Sequence, residues 1–200
     1  MAFSLAGGLL AFQMNIDMAL IQKWSNAKVI RYQVTGVHDG RAGVVFGNRE
    51  GKADVTDRIT LDFVWDKRAR KFSGDIKVAD SKSEVKNIKA DGTNCPPPTL
   101  QGEYEHFQLE KHSASGEQIQ LEGTRIFPAA NVSQYPASCD MTPVPGGKES
   151  QILFVTIIDP SVLALPPQGN PNVGVSADKK SFSIKSDTNW VWTYTPTVVQ

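Results

Sequence analysis

HFQLEKHSASGEQIQLE, residues 106–122, alternates apolar and polar side chains on both sides of a centre containing Ser and Gly. Successive side chains on a strand point to opposite faces, so one hairpin register sorts them into an apolar face and a polar face. Setting Phe107 opposite Leu121 and Leu109 opposite Ile119 collects the apolar face. His106, Gln108 and Glu110 then meet Glu122, Gln120 and Gln118 on the other. The wider stretch 104–127 predicts a β-hairpin, and the chain's two cysteines, Cys95 and Cys139, bracket it. Extending the same register outward brings them toward the hairpin base and predicts a Cys95–Cys139 disulfide. Closing a loop of about 44 residues this way contributes roughly 4 kcal/mol in the chain-entropy picture.

A second hairpin follows the same logic. Ile59, Leu61, Phe63 and Trp65 pair with Val78, Ile76, Gly74 and Phe72 on one face, with Gly74 leaving room for the Phe63 ring and Trp65–Phe72 forming an aromatic cross-strand pair. Its tip, residues 66–71, carries Lys67, Arg68, Arg70 and Lys71. A third hairpin closes the chain: residues 181–185 and 189–195 share a face bearing Phe182, Ile184, Trp190 and Trp192. Residues 29–36 read as a strand, followed by a turn around Asp39-Gly40 and a partner strand at 42–46. The near-continuous apolar run 151–158 predicts a central strand buried on both faces.

Ahead of the strands, Met14, Met18 and Ile21 recur at helical spacing, predicting a short amphipathic helix over 14–24. The fold expected is all-β, an antiparallel β-sandwich or barrel built from hairpins, with a short N-terminal helix. Residues 1–25 form an N-terminal apolar and helical segment, and 26–200 a single antiparallel β domain. Residues 2–12 have the length and apolarity of a signal-peptide core, although the first basic residue is Lys23. Together with the paired cysteines, this points to a periplasmic or extracellular protein, with the cytoplasm as the alternative. No run approaches the ~18 apolar residues of a transmembrane helix.

Twenty-one Lys and Arg balance twenty-one Asp and Glu, for a formal net charge of zero, so no basic excess favours nucleic acid. His106, Glu110, His112 and Glu122 share a polar face, but His106 and His112 lie about 20 Å apart on an extended strand, too far for one ion. His38-Asp39 falls in the predicted turn, where Asp has a conformational reason to be. Neither a GxSxG elbow nor a phosphate loop occurs, so no catalytic residue, metal or cofactor is assigned. The candidate ligand-binding residues are the aromatics Trp65, Phe63, Trp190, Trp192 and Tyr194, which suit a small apolar or glycan ligand. The reading is a non-catalytic exported domain for ligand binding or protein interaction. Its alternatives are a hydrolase of an exported polymer, using two converging carboxylates, and a structural or assembly subunit.

Overall fold

Asp17 starts the first element by accepting the backbone N–H of Leu20 at 3.1 Å, capping helix α1 (Met18–Asn26). The computed structural model describes residues 16–46, 49–90, 99–100, 107–127, 130–131, 147–164, 172–186 and 188–200. Met14 and His106 lie outside the described residues, as do Cys95 and Cys139 with the disulfide expected between them. The buried helix residue is Trp24, with Leu20 packed against the core, whereas Met18 is exposed. The apolar stripe is thus set by Leu20 and Trp24, four residues apart on one face.

The strands that follow are β1 (Val29–Phe46), β2 (Arg49–Asp66), β3 (Lys71–Phe72), β4 (Lys77–Ala90), β5 (Thr99–Leu100) and β6 (Phe107–Ser115). Then come β7 (Gln118–Phe127), β8 (Ala130–Asn131), β9 (Gly147–Thr156), a 3-10 turn at Pro160–Ala164, β10 (Val173–Val175), β11 (Phe182–Lys185) and β12 (Trp190–Val198). The larger sheet runs β10-β11-β12-β1-β2, with β3 and β4 both pairing the far side of β2. The second sheet is β6-β7-β9, and β5 pairs with β8 separately. Among the described residues every strand pairing is antiparallel, and the fold is all-β and sandwich-like with one short α-helix.

Period-two alternation builds the core between the sheets. Ile30, Tyr32 and Val34 of β1 lie beside Ile59, Leu61, Phe63 and Trp65 of β2 and beside Trp190, Trp192 and Tyr194 of β12. Phe107, Ile119, Leu121, Leu153 and Val155 close over them from the second sheet. The rings interlock: Tyr32 stacks on Phe63, Phe182 on Tyr194, and Trp190 on Trp192.

Several expectations require correction. β1 does not turn at Asp39-Gly40 but continues to Phe46, in unbroken register from Val29↔Asp66 to Phe46↔Arg49. A turn there would have given up a backbone ladder running the whole length of β2, and a nonlocal ladder outweighs a local turn preference. The 106–122 hairpin exists, but Phe107 faces Arg125 and Leu109 faces Gly123. Its turn is Gly116-Glu117, where Gly116 takes φ +58°, and a bulge between Leu109 and Lys111 shifts the pairing by one residue.

Trp65 does face Phe72, at 5.1 Å between ring centroids. Beyond it the register slips, so that Leu61 faces Val78, and Gly74 is an exposed break at φ +82° rather than a floor for Phe63. The run 151–158 is not buried on both faces: Leu153 and Val155 point inward, while Ile152 and Phe154 are 50% and 54% exposed. The final hairpin forms as expected, with Phe182 opposite Tyr194 and Ile184 opposite Trp192.

Candidate binding site

The basic tip of the β2–β3 hairpin is where the two sheets meet at one end. Asp66 accepts the Ala69 N–H at 2.8 Å, which tightens the turn, and Arg70 adopts a left-handed backbone at φ +49°. Lys67 thereby reaches back to the carbonyl of Trp24 at 2.9 Å and to the Asp159 carboxylate at 2.7 Å. Arg70 reaches the second sheet, where its Nε and Nη2 both contact Oε1 of Glu117, at 2.9 and 2.7 Å. Arg68 and Lys71, the other cations of the tip, are exposed.

The chain leaving β9 is pinned under this tip. Tyr32 donates its hydroxyl to the Ile158 carbonyl and Tyr194 donates to that of Thr156, each at 2.9 Å. The Ile157 N–H bonds to the Glu117 carbonyl at 2.8 Å. Burial raises both phenols well above their ordinary range, and the Asp159 charge pushes Tyr32 further the same way. At Asp159 partial burial acts upward, but the Lys67 ammonium and the Ser161 hydrogen bonds outweigh it and hold the carboxyl below its usual value.

These elements enclose a half-open pocket of about 200 Å3. Ile157 and the buried side chains of Tyr32 and Trp65 lie behind it. Lys67, Arg70, Glu117 and Asp159 stand around it as two ion pairs. Of the aromatics expected to bind ligand, Trp65 borders this pocket but is itself only 4% exposed, and Phe63, Trp190, Trp192 and Tyr194 are 2–3% exposed within the core. A broader hollow, about 420 Å3, lies on the outer sheet face over Val37 and Val191, with Asp39, Lys185 and Asn189 beside it and no aromatic wall. No protein family, curated protein or solved structure matches this chain.

A second polar group lies inside the fold. The core stripe of β1 continues past Gly36 to His38, and that of β2 begins with Val55 and Asp57, so His38 and Asp57 are direct cross-strand neighbours facing inward. Asp57 is 1% exposed. It takes the His38 Nδ1 at 3.1 Å on one oxygen and the Ser83 hydroxyl of β4 at 2.6 Å on the other. His38 stacks on Trp190, and Ser83 Oγ accepts the Phe107 N–H at 3.2 Å from the second sheet. The carboxylate is the bridge in this row. A nucleophilic triad needs the imidazole between hydroxyl and carboxylate, so this order gives a cross-strand tie rather than an activated serine.

Reading residues 37–41 as a turn hid this row, although the signal was present in two polar residues at inward positions of an apolar stripe. Among the described residues, no three His, Cys, Asp or Glu side chains converge to hold a metal ion. No helix among them is long and apolar enough to cross a membrane.

Proposed function

We propose that this chain is a non-catalytic binding domain whose ligand occupies the pocket beside Trp65 and Tyr32. One observation carries the reading: two preset ion pairs meet at a single opening between the sheets, over the buried side chains of Tyr32 and Trp65. Ligand sites hold a few fixed polar groups at a concave opening in this way. The hydrolase alternative needs a carboxyl held protonated to act as acid. Glu117 and Asp159 do share the pocket, but each is neutralised by its own cation, and Asp159 is displaced in the opposite direction.

The test is two-dimensional NMR of the four tryptophan indoles during titration with a panel of sugars, amino acids and small anions. A ligand should move the Trp65 signal and leave those of the core indoles nearly in place. No Trp65 shift with any compound would end this reading. Export from the cytoplasm belongs to the same proposal, and the intact mass of the native protein with and without reductant tests it. A second reading, an assembly subunit, draws on Ile152 and Phe154, exposed two residues apart on the outer face of β9. Light scattering that finds only monomer over a wide concentration range would remove its self-assembling form.

A further inference from the structure

We infer that the outer edge of β9 pairs with β9 of a second copy of this chain, an inference that rests on the assembly reading above and names its partner. Among the described residues β9 ends its sheet, held to β7 without a break from Gln118↔Thr156 to Phe127↔Gly147. Along an antiparallel ladder, residues alternate between exchanging hydrogen bonds with the neighbour and turning those groups away. The Ile157 N–H on the Glu117 carbonyl sets the phase, so the odd-numbered residues of β9 bond to β7. The N–H and C=O groups of Ser150, Ile152 and Phe154 therefore point outward. The tyrosine hydroxyls agree, since they reach the carbonyls of Thr156 and Ile158 on that same outward side. They also close that end, which leaves Ser150–Phe154 as the open, uncharged stretch.

Proteins blunt such edges with charges, bulges or short strands. At the other end of this sheet, β6 carries Glu110, Lys111 and His112 and a bulge. In the larger sheet β4 carries Lys77 and Lys82 and two register shifts, and β10 has three residues. From Gln151 to Val155, β9 has no charge, proline or bulge, and its outer face presents Ile152 and Phe154 half exposed. The open stretch is symmetric about Ile152. A twofold axis there sets Ile152 against its own counterpart and Phe154 against Ser150, so one patch serves both copies. This register makes about six backbone hydrogen bonds, and it brings the Phe154 ring within diagonal reach of Ile152 in the second copy. With zero net charge, two copies approach without net repulsion. The exposed halves of Ile152 and Phe154 contribute roughly 400 Å2 across both copies. A single strand pair stays below the ~1,200 Å2 of a standard interface, so the dimer is weak, with a Kd above about 1 µM.

Sedimentation equilibrium of the full chain, from about 1 µM to 1 mM, should show monomer passing to dimer. Ile152→Lys places like charges opposite each other across the axis and Phe154→Ser removes the diagonal ring, and each should weaken the dimer roughly tenfold or more. Both side chains lie half exposed on the outer face, so circular dichroism should show an unchanged fold. Amide exchange gives a second readout. The Ile152 and Phe154 amides should slow as dimer forms, while those of Leu153 and Val155, already bonded to β7, keep their rates. A dimer that survives both substitutions, or leaves the Ile152 and Phe154 amides unchanged, would overturn pairing through β9 and leave the assembly reading standing. Monomer at every concentration would overturn both.

Discussion

Arg70 and Glu117 join the two sheets across their open end, with two guanidinium nitrogens on one carboxylate oxygen at 2.9 and 2.7 Å. Both side chains are well exposed, and exposed ion pairs contribute about 0–1 kcal/mol. Arg70→Ala should therefore lower unfolding free energy by no more than about 1 kcal/mol in urea denaturation. Because Arg70 sits at φ +49°, Arg70→Gly loses the same pair but relieves a left-handed backbone, and should be more stable than Arg70→Ala by about 1 kcal/mol. Alanine more stable than glycine would contradict the backbone assignment at this tip.

Asp57 behaves differently, because its carboxylate is sealed inside. Asp57→Ala removes an acceptor of both His38 and Ser83, a carboxylate that is itself 1% exposed. Losing hydrogen bonds to a buried carboxylate in this way costs about 1.5–3 kcal/mol. Equilibrium denaturation should show a loss of that size, with Asp57→Asn less damaging because it keeps one acceptor. A loss under about 1 kcal/mol would mean that the row holds little of the sandwich together.

Local pattern made much of the fold legible. Trp65–Phe72 and Phe182–Tyr194 belong to hairpins whose strands lie close in sequence, where alternating apolar residues reveal both strands. Register was less legible, since the left-handed glycine at Gly116 and the bulge at Leu109/Lys111 displaced every pair predicted for β6 and β7. The pocket was half legible. Trp65 and the tip cations stood out in the sequence, but their partners come from other strands: Glu117 is 47 residues from Arg70, and Asp159 is on the far side of β9. Charge alone does not say which carboxylate a lysine meets. The His38–Asp57 pair was masked by an Asp-Gly turn signal that the full β1–β2 ladder overrides.

Two glycines separate close packing from mere strand position. A Cβ on Gly36 would overlap the Trp192 indole, whereas one on Gly40 would meet His38 Nε2 at 3.4 Å, near ordinary contact. Gly36→Ala should therefore cost about 1–3 kcal/mol, because a buried indole has nowhere to move. Gly40→Ala should stay within about 0.5 kcal/mol. Thermal unfolding of the two variants side by side checks this, and equal melting temperatures would refute the packing of Trp192 over Gly36.

Alkaline pH tests the phenols that pin β9. Burial raises Tyr32 and Tyr194 above the ordinary value of 10.0. Above that value the unfolded chain releases protons that the folded chain keeps, so stability falls as pH rises through this window; below it the contribution is fully present. Asp159 gives the opposite sign at the acid end. Its lowered carboxyl stabilises the fold above its ordinary value of 3.8, and that contribution fades as pH falls through the folded value. Tyrosinate absorbance should show no more than two of the four tyrosines ionising while the fold persists, and all four near pH 10 in concentrated urea. Ionisation of all four near pH 10 with an unchanged circular dichroism spectrum would place Tyr32 and Tyr194 in contact with water, and the hydrogen bonds to Ile158 and Thr156 would not then be what holds β9 against the larger sheet.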